Sequence, residues 1–279
     1  MKLGIFTVNG AYDLKKRIEL AKTLGVRGIS INDGEYAGRE KFNACIGLAE
    51  KNDIDIVHIG AFCFNPLMPT EADGERFKQA LELCGQIGKS CSVILGAGGL
   101  NKSNPWIGTS LNWKSETRQM VAENLKPYIE IAERLGAYIS LEPHFSNAAY
   151  SGEVCKDIVK RTGSNNVKIT FDIVNFCKYD DYFNLHGLID KIIEPLMNNC
   201  VNAHIKDVKL EERLMIHMDE CRVGQGEMDF VYLLRKLDSL LDENHTVCIE
   251  DHQSDEQGLR ESVDFIRQCA DKAGVGFKD

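Results

Sequence analysis

The sequence predicts a single (β/α)8 barrel domain spanning residues 1–279. Three observations predict it. An apolar, β-branched run, a polar loop and an amphipathic stretch follow one another in a unit that repeats along the whole chain. The strand-like runs are mostly continuous in apolar residues, the pattern of a parallel sheet buried on both faces. The length, 279 residues, is close to the roughly 250 typical of one such barrel.

Candidate strands are Lys2–Thr7, Gly28–Asn32, Asp55–Ala61, Ser92–Gly96, Tyr138–His144, Val167–Asp172, Val201–Val208 and Thr246–Asp251. Candidate helices lie between them at Asp13–Leu24, Arg39–Lys51, Gly74–Ile87, Ser115–Leu135, Glu153–Arg161, Leu185–Met197, Phe230–Leu241 and Gly258–Ala273. The first helix shows the logic: Leu14, Ile18, Ala21 and Leu24 recur at helical spacing, and Gly25 follows as a C-terminal cap. Leu135-Gly136 and Ala273-Gly274 repeat that ending. The structural alternative is an open doubly wound sheet, but no Gly-x-Gly-x-x-Gly follows the first strand to support its dinucleotide-binding form.

Composition narrows the function classes. Hydrophobic residues at 43% and charged residues at 27% are those of an ordinary globular protein. A net charge of −9 argues against a nucleic-acid partner, whose phosphates call for a basic surface. No window approaches the roughly 20 apolar residues of a membrane span, and the opening MKLGIFTVNG lacks the features of a signal peptide. The ten cysteines are scattered without a Cys-x-x-Cys pair, as expected of reduced thiols in a cytoplasmic protein.

Three connections are long: Phe62–Asp73, Ala97–Trp113 and Lys209–Met228. All follow strands, so in a barrel they build the active-site face. The second carries Trp106 and Trp113, which could stack on a sugar ring or simply pin their own loop.

The chemistry concentrates at four consecutive strand ends: Leu141-Glu142-Pro143-His144, Phe171-Asp172, His204-Ile205-Lys206-Asp207 and Ile249-Glu250. From Glu142 to Asp172 is 30 residues, to His204 a further 32 and to Glu250 a further 46, about one βα unit per step. Side chains from four adjacent strands can therefore converge above the barrel. Three carboxylates and an imidazole make a hard donor set for one divalent metal, Mn2+ first, with Mg2+, Co2+ or Zn2+ as alternatives.

These segments, with Phe171-Asp172-Ile173-Val174-Asn175 and Gly224-Gln225-Gly226-Glu227-Met228-Asp229, resemble the xylose-isomerase-like barrel superfamily over nearly the whole chain. The resemblance implies metal ligation by Glu142, Asp172, His204 and Glu250. It also implies an isomerase or epimerase acting on a keto-sugar or keto-cyclitol, with Glu142 and Glu250 exchanging protons beside a polarised carbonyl. A lyase of the same superfamily is the alternative, either a dehydratase or a C-glycoside deglycosidase of 3-oxo-glycosides; the latter would need a small β-rich partner subunit. Remote alternatives are a non-catalytic sugar-binding barrel and an endonuclease IV-like repair enzyme. Many epimerases carry a histidine where this chain has Asn175, and endonuclease IV uses that histidine with three zinc ions, so the substitution favours one metal. Relatives are often dimers or tetramers, so a homo-oligomer is possible, but the sequence leaves the oligomeric state open.

Further candidates cluster near the four ligands. His144 lies two residues after Glu142, so both face the same side of an extended strand; it could serve as an acid–base group or orient a carboxylate. Lys206 could neutralise a developing enolate or pair with nearby acids, and Asp207 could support the ligands. His58, Arg222, Trp106 and Asn175 are expected to touch substrate, and His252 is expected to point toward the site.

Overall fold

The computed structural model describes residues 1–6, 13–88, 91–250 and 255–278. Eight parallel strands close on themselves: β1 (Lys2–Phe6), β2 (Gly28–Ile31), β3 (Asp55–Gly60), β4 (Ser92–Gly96), β5 (Tyr138–Glu142), β6 (Val167–Asp172), β7 (Cys200–Ile205) and, after a hairpin of β8 (Asp207–Leu210) with β9 (Met218–Cys221), β10 (Thr246–Glu250). Around the barrel the order is β1-β10-β7-β6-β5-β4-β3-β2, so neighbours in sequence are neighbours in space and β10 closes onto β1. This is the (β/α)8 barrel that the repeated unit predicts.

The helices are α1 (Leu14–Leu24), α2 (Arg39–Lys51), α3 (Glu71–Ile87), α4 (Ser115–Leu135), α5 (Gly152–Thr162), the single turn α6 (Tyr179–Tyr182), α7 (Leu185–Leu196), α8 (Phe230–Leu240) and α9 (Glu256–Ala273). Their ends follow from local chemistry. Asp13 accepts from the Lys16 amide at 2.8 Å to start α1, and Gly25 ends it in the left-handed conformation at φ 66°, where its amide satisfies the last carbonyls. The third helix starts before its expected Gly74, because Thr70 caps it and accepts from the Asp73 amide.

Most of the core lies between strands and helices, with residues such as Ile5, Ile29, Val93, Leu141 and Ile205 facing Ile18, Leu81, Leu125 and Ile266. A second, smaller apolar cluster of Phe6, Val57, Ile94 and Cys248 fills the barrel itself. All ten cysteines are free thiols, and eight are buried. Among the described residues no helix is long and apolar enough to cross a membrane.

One element departs from expectation. The run Val201–Val208 is not one strand, and the stretch from Lys209 is not merely a loop. The barrel strand ends at Ile205, and the chain turns into the antiparallel hairpin, in which Asp207 pairs with Cys221 and Leu210 with Met218. Asp207 causes the turn. Its carboxylate accepts four backbone amides, from Val208 (2.9 Å), Gly224 (3.0 Å), Gly226 (2.9 Å) and Met228 (3.1 Å). A Cβ at Gly226 would lie 2.2 Å from Asp207 Oδ1, so the Gly-Gln-Gly-Glu-Met segment can wrap the carboxylate only with glycine there.

Candidate metal centre

Strands β5, β6, β7 and β10 stand side by side, and each delivers one ionisable side chain to the C-terminal mouth. Asp172 and Cys248 are both in register with His204, which levels the strand ends. Glu142, Asp172, His204 and Glu250 are all buried, and one donor atom from each lies within 4.8 Å of the others. His204 presents Nδ1 to the group: Glu250 Oε2 is at 2.6 Å, Glu142 Oε1 at 3.1 Å and Asp172 Oδ2 at 4.0 Å. Asp172 is aimed by its own turn, since its Oδ1 accepts the amides of Val174 (3.1 Å) and Asn175 (3.2 Å), which leaves Oδ2 for the centre.

The cluster is electrostatically strained. Burial raises the Asp172 carboxyl; Lys206 opposes this, Glu250 and Glu142 add to it, and the group stands at about 6. Burial alone would lower His204, but the Glu250 and Glu142 carboxylates outweigh it and raise the imidazole to about 10. Three acids thus face two cations in a dry site, and Asp172 Oδ2 has no well-formed hydrogen bond. Three carboxylate oxygens and one imidazole nitrogen, converging with an excess of negative charge, fit a hard divalent cation.

The other candidate residues divide into groups. Lys206 is buried as the counter-ion of the ligands, 3.1 Å from Asp172 Oδ2 and 3.2 Å from Glu250 Oε1, and Asn175 Oδ1 accepts from it at 3.3 Å. Asn175 is itself fixed by its carbonyl, which accepts the Phe145 amide. His144 stands at the mouth; its Nδ1 lies 2.6 Å from Ser146 Oγ and accepts the Ser146 amide at 3.2 Å, so Nε2 is left at the opposite edge of the ring. Burial first and Lys206 second push His144 down to about 4, which keeps it neutral. Trp106 lies over the bare Gly96 at the end of β4, 6.1 Å from the Phe62 ring and 6.5 Å from His144. A cavity of about 70 Å³ opens there between Phe62, Asn65, Gly98, Trp106 and Asn147. A far larger hollow of about 610 Å³ lies outside the barrel, between α2 and α3, and touches none of the ionisable cluster.

His58 and Arg222 make contacts of a different kind. His58 is fully buried inside the barrel, two residues before the end of β3, with its ring edge-on to His204 at 5.0 Å. Arg222 pairs with Glu261 on α9 at 2.7 Å. His252 lies outside the described residues.

Sequence reasoning missed Glu220, which reaches Lys206 at 3.5 Å from β9, and Ser146, which ties His144 to the Trp106 carbonyl. The hairpin that carries Glu220 is set by Asp207 rather than by any strong strand pattern. Ser146 sits in a loop where a serine is unremarkable. The mouth also carries exposed apolar side chains: Trp106 and Ile107 after β4, Phe183 after β6, and Leu214, Met215 and Ile216 at the hairpin tip.

Comparison with known proteins agrees with the barrel fold. No curated protein matches the chain. Among solved structures, it is similar to D-psicose 3-epimerase with D-tagatose from Clostridium cellulolyticum H10, at 16% identity and TM-score 0.73, covering 99% of this chain and 100% of that one. It is similar to a xylose isomerase-like TIM barrel protein from Mycobacterium smegmatis in complex with magnesium, at 13% identity and TM-score 0.71, covering 98% of each chain. It is similar to the probable 3-DHS dehydratase AsbF of Bacillus anthracis, at 13% identity and TM-score 0.74, covering 96% of this chain and 99% of that one. Identities this low carry the fold alone. The family model described as xylose isomerase-like TIM barrel matches residues 18–269, nearly the full length, and the chain belongs to that family.

Proposed function

We propose that the protein is a divalent-metal-dependent isomerase or epimerase of a keto-sugar or keto-cyclitol. The observation that carries this reading is the convergence of Glu142, Asp172, His204 and Glu250, within 4.8 Å, at the C-terminal mouth. A divalent ion held there, Mn2+ first, supplies Lewis-acid polarisation of a substrate carbonyl and an adjacent hydroxyl. The side chains supply the rest. Glu142 on β5 and Glu250 on β10 approach the centre from either side of β6 and β7, so one can take a proton from carbon and the other return it. Lys206 balances the ligands' charge. Trp106 and Phe62 offer an apolar wall to a sugar ring.

A lyase of the same family is the second reading, favoured by His144. Its Nδ1 accepts the Ser146 amide, so the neutral ring carries its hydrogen on Nε2, which suits a hydrogen bond to a departing oxygen at the mouth. The likeness to a probable dehydratase supports this reading, and the likeness to D-psicose 3-epimerase supports the first. The magnesium complex of a third similar barrel supports metal dependence. The exposed apolar rim of the mouth suits an oligomer contact or, for a deglycosidase, a partner subunit.

The test is elemental analysis of wild type, Glu142→Gln and His204→Ala, purified without chelator. About one divalent ion per chain is expected in wild type, with a large loss in both variants. Keto-sugars and 3-oxo-glycosides are then incubated in D2O. Deuterium next to the carbonyl with an isomer mixture supports the first reading; an unsaturated or split product supports the second. A metal-free wild type, unchanged in both variants, would sink both.

A further inference from the structure

Among the described residues, no partner satisfies the second nitrogen of His204. With Nδ1 committed to Glu250 and Glu142, a ligating His204 must carry its proton on Nε2, because a nitrogen that binds metal cannot also hold hydrogen. That Nε2 is buried without a hydrogen-bond partner, and so is Nε2 of His58. The two rings meet edge to face, with centroids 5.0 Å apart and planes at 81°. Phe6 packs against both, at 4.6 Å from His204 and 5.9 Å from His58, and keeps the compartment apolar. An orphan donor and an orphan acceptor side by side in a dry space are a matched pair.

The tautomer of His58 decides whether they match. Its Nδ1 lies 3.4 Å from Ser92 Oγ. If Nδ1–H donates to Ser92, Nε2 is bare and can accept from His204, through a small ring rotation or one shared water. The opposite tautomer would turn two N–H groups on each other. Strand order makes the pairing possible. β3 stands diametrically opposite β7 in the eight-strand ring, so His58 reaches His204 across the full barrel. One residue earlier on β3, Val57 is already bridged to β7 by Asn202 at 3.2 Å.

We propose that His58 is a positioning residue of the metal centre: its Nδ1–H donates to Ser92 Oγ and its bare Nε2 accepts the Nε2–H of His204. This rests on the reading of Glu142, Asp172, His204 and Glu250 as metal ligands. It assigns His58 to the ligand rather than to substrate. Partners of this kind fix the ring orientation and basicity of a metal-bound histidine, and their loss commonly weakens metal binding 10–100-fold.

Two measurements test it on the intact protein. Calorimetric titration with Mn2+ is expected to show affinity about 10–100-fold weaker in His58→Phe, which keeps a ring in the space. His58→Gln, which offers an acceptor oxygen, should keep more affinity than the phenylalanine variant. The metal-free melting temperature of His58→Phe should be no lower than that of wild type. Separately, the imidazole 15N spectrum of histidine-labelled wild type, assigned with His58→Phe, should show His58 protonated at Nδ1 and bare at Nε2. A His58 protonated at Nε2, or Mn2+ affinity within twofold of wild type in His58→Phe, overturns the proposal and leaves the metal site standing. Absence of Mn2+ binding by wild type overturns the metal reading instead, and the proposal with it.

Discussion

Asn202 and the ionisable cluster occupy the same barrel one layer apart, and their polar atoms are satisfied in opposite ways. At the N-terminal end Asn202 spans the interior, donating Nδ2 to the Val57 carbonyl at 3.2 Å and accepting the Thr246 amide at 2.7 Å. Every polar atom of that carboxamide bridge has a complement. At the C-terminal end Glu142, Asp172 and Glu250 crowd one another, and His204 Nε2 is left without a partner. The difference separates stability from function. A buried polar group that is fully matched holds strands in register, whereas three carboxylates facing two cations favour the binding of a further cation. The barrel follows the general division in which the N-terminal face stabilises and the C-terminal face reacts.

The comparison is sharpest when metal is added. At free Mn2+ near 1,000 times its Kd, binding to the folded state alone adds about 4 kcal/mol of stability. A matching rise in melting temperature is expected for wild type and for Asn202→Ala, and none for His204→Ala. An equal rise in all three would mean that the ion binds elsewhere and would dissolve the distinction between the two layers.

Asn202→Ala probes the other layer. It strands the Thr246 amide and the Val57 carbonyl, both buried, so a loss of about 2–3 kcal/mol in urea unfolding is expected. Asn202 also sits at φ 62°, where β7 slips register against β6, and asparagine tolerates that conformation better than alanine. Metal stoichiometry should stay at the wild-type value. Loss of metal in this variant would show that the lower layer also shapes the site.

How much of this was legible in the sequence depended on what kind of signal each residue leaves. Glu142, Asp172, His204 and Glu250 stand out because each follows an apolar strand run, so an ionisable group there breaks a pattern. The glycine-capped helix ends are readable because a left-handed residue is nearly always glycine. Asn202 leaves no such mark: one asparagine in an apolar strand looks like any polar interruption, and its partner is 145 residues away. His58 is hard to place from sequence because its distance from the strand's end is ambiguous by a residue or two, and that decides between mouth and interior. The hairpin after β7 was missed because Asp207 makes it through four backbone amides gathered from 21 residues of chain, which no local propensity encodes.

The smallest expected effect is the most discriminating. Glu142→Gln removes one of three carboxylates from a cluster balanced, among the described residues, by Lys206 and a His204 raised to about 10. If the cluster is a structural salt-bridge network, deleting one partner leaves a buried charge unpaired and should cost about 3–5 kcal/mol. If it is a metal site, the metal-free fold gains from relief of like-charge crowding about what it loses in the 3.1 Å contact to His204. Its unfolding free energy in urea should then lie within about 1 kcal/mol of metal-free wild type. The glutamine also keeps the volume and the acceptor oxygen, so packing does not confuse the result. A variant that loses the metal yet keeps its metal-free stability assigns the strained layer to function. One that unfolds early assigns it to the scaffold and makes the two layers alike.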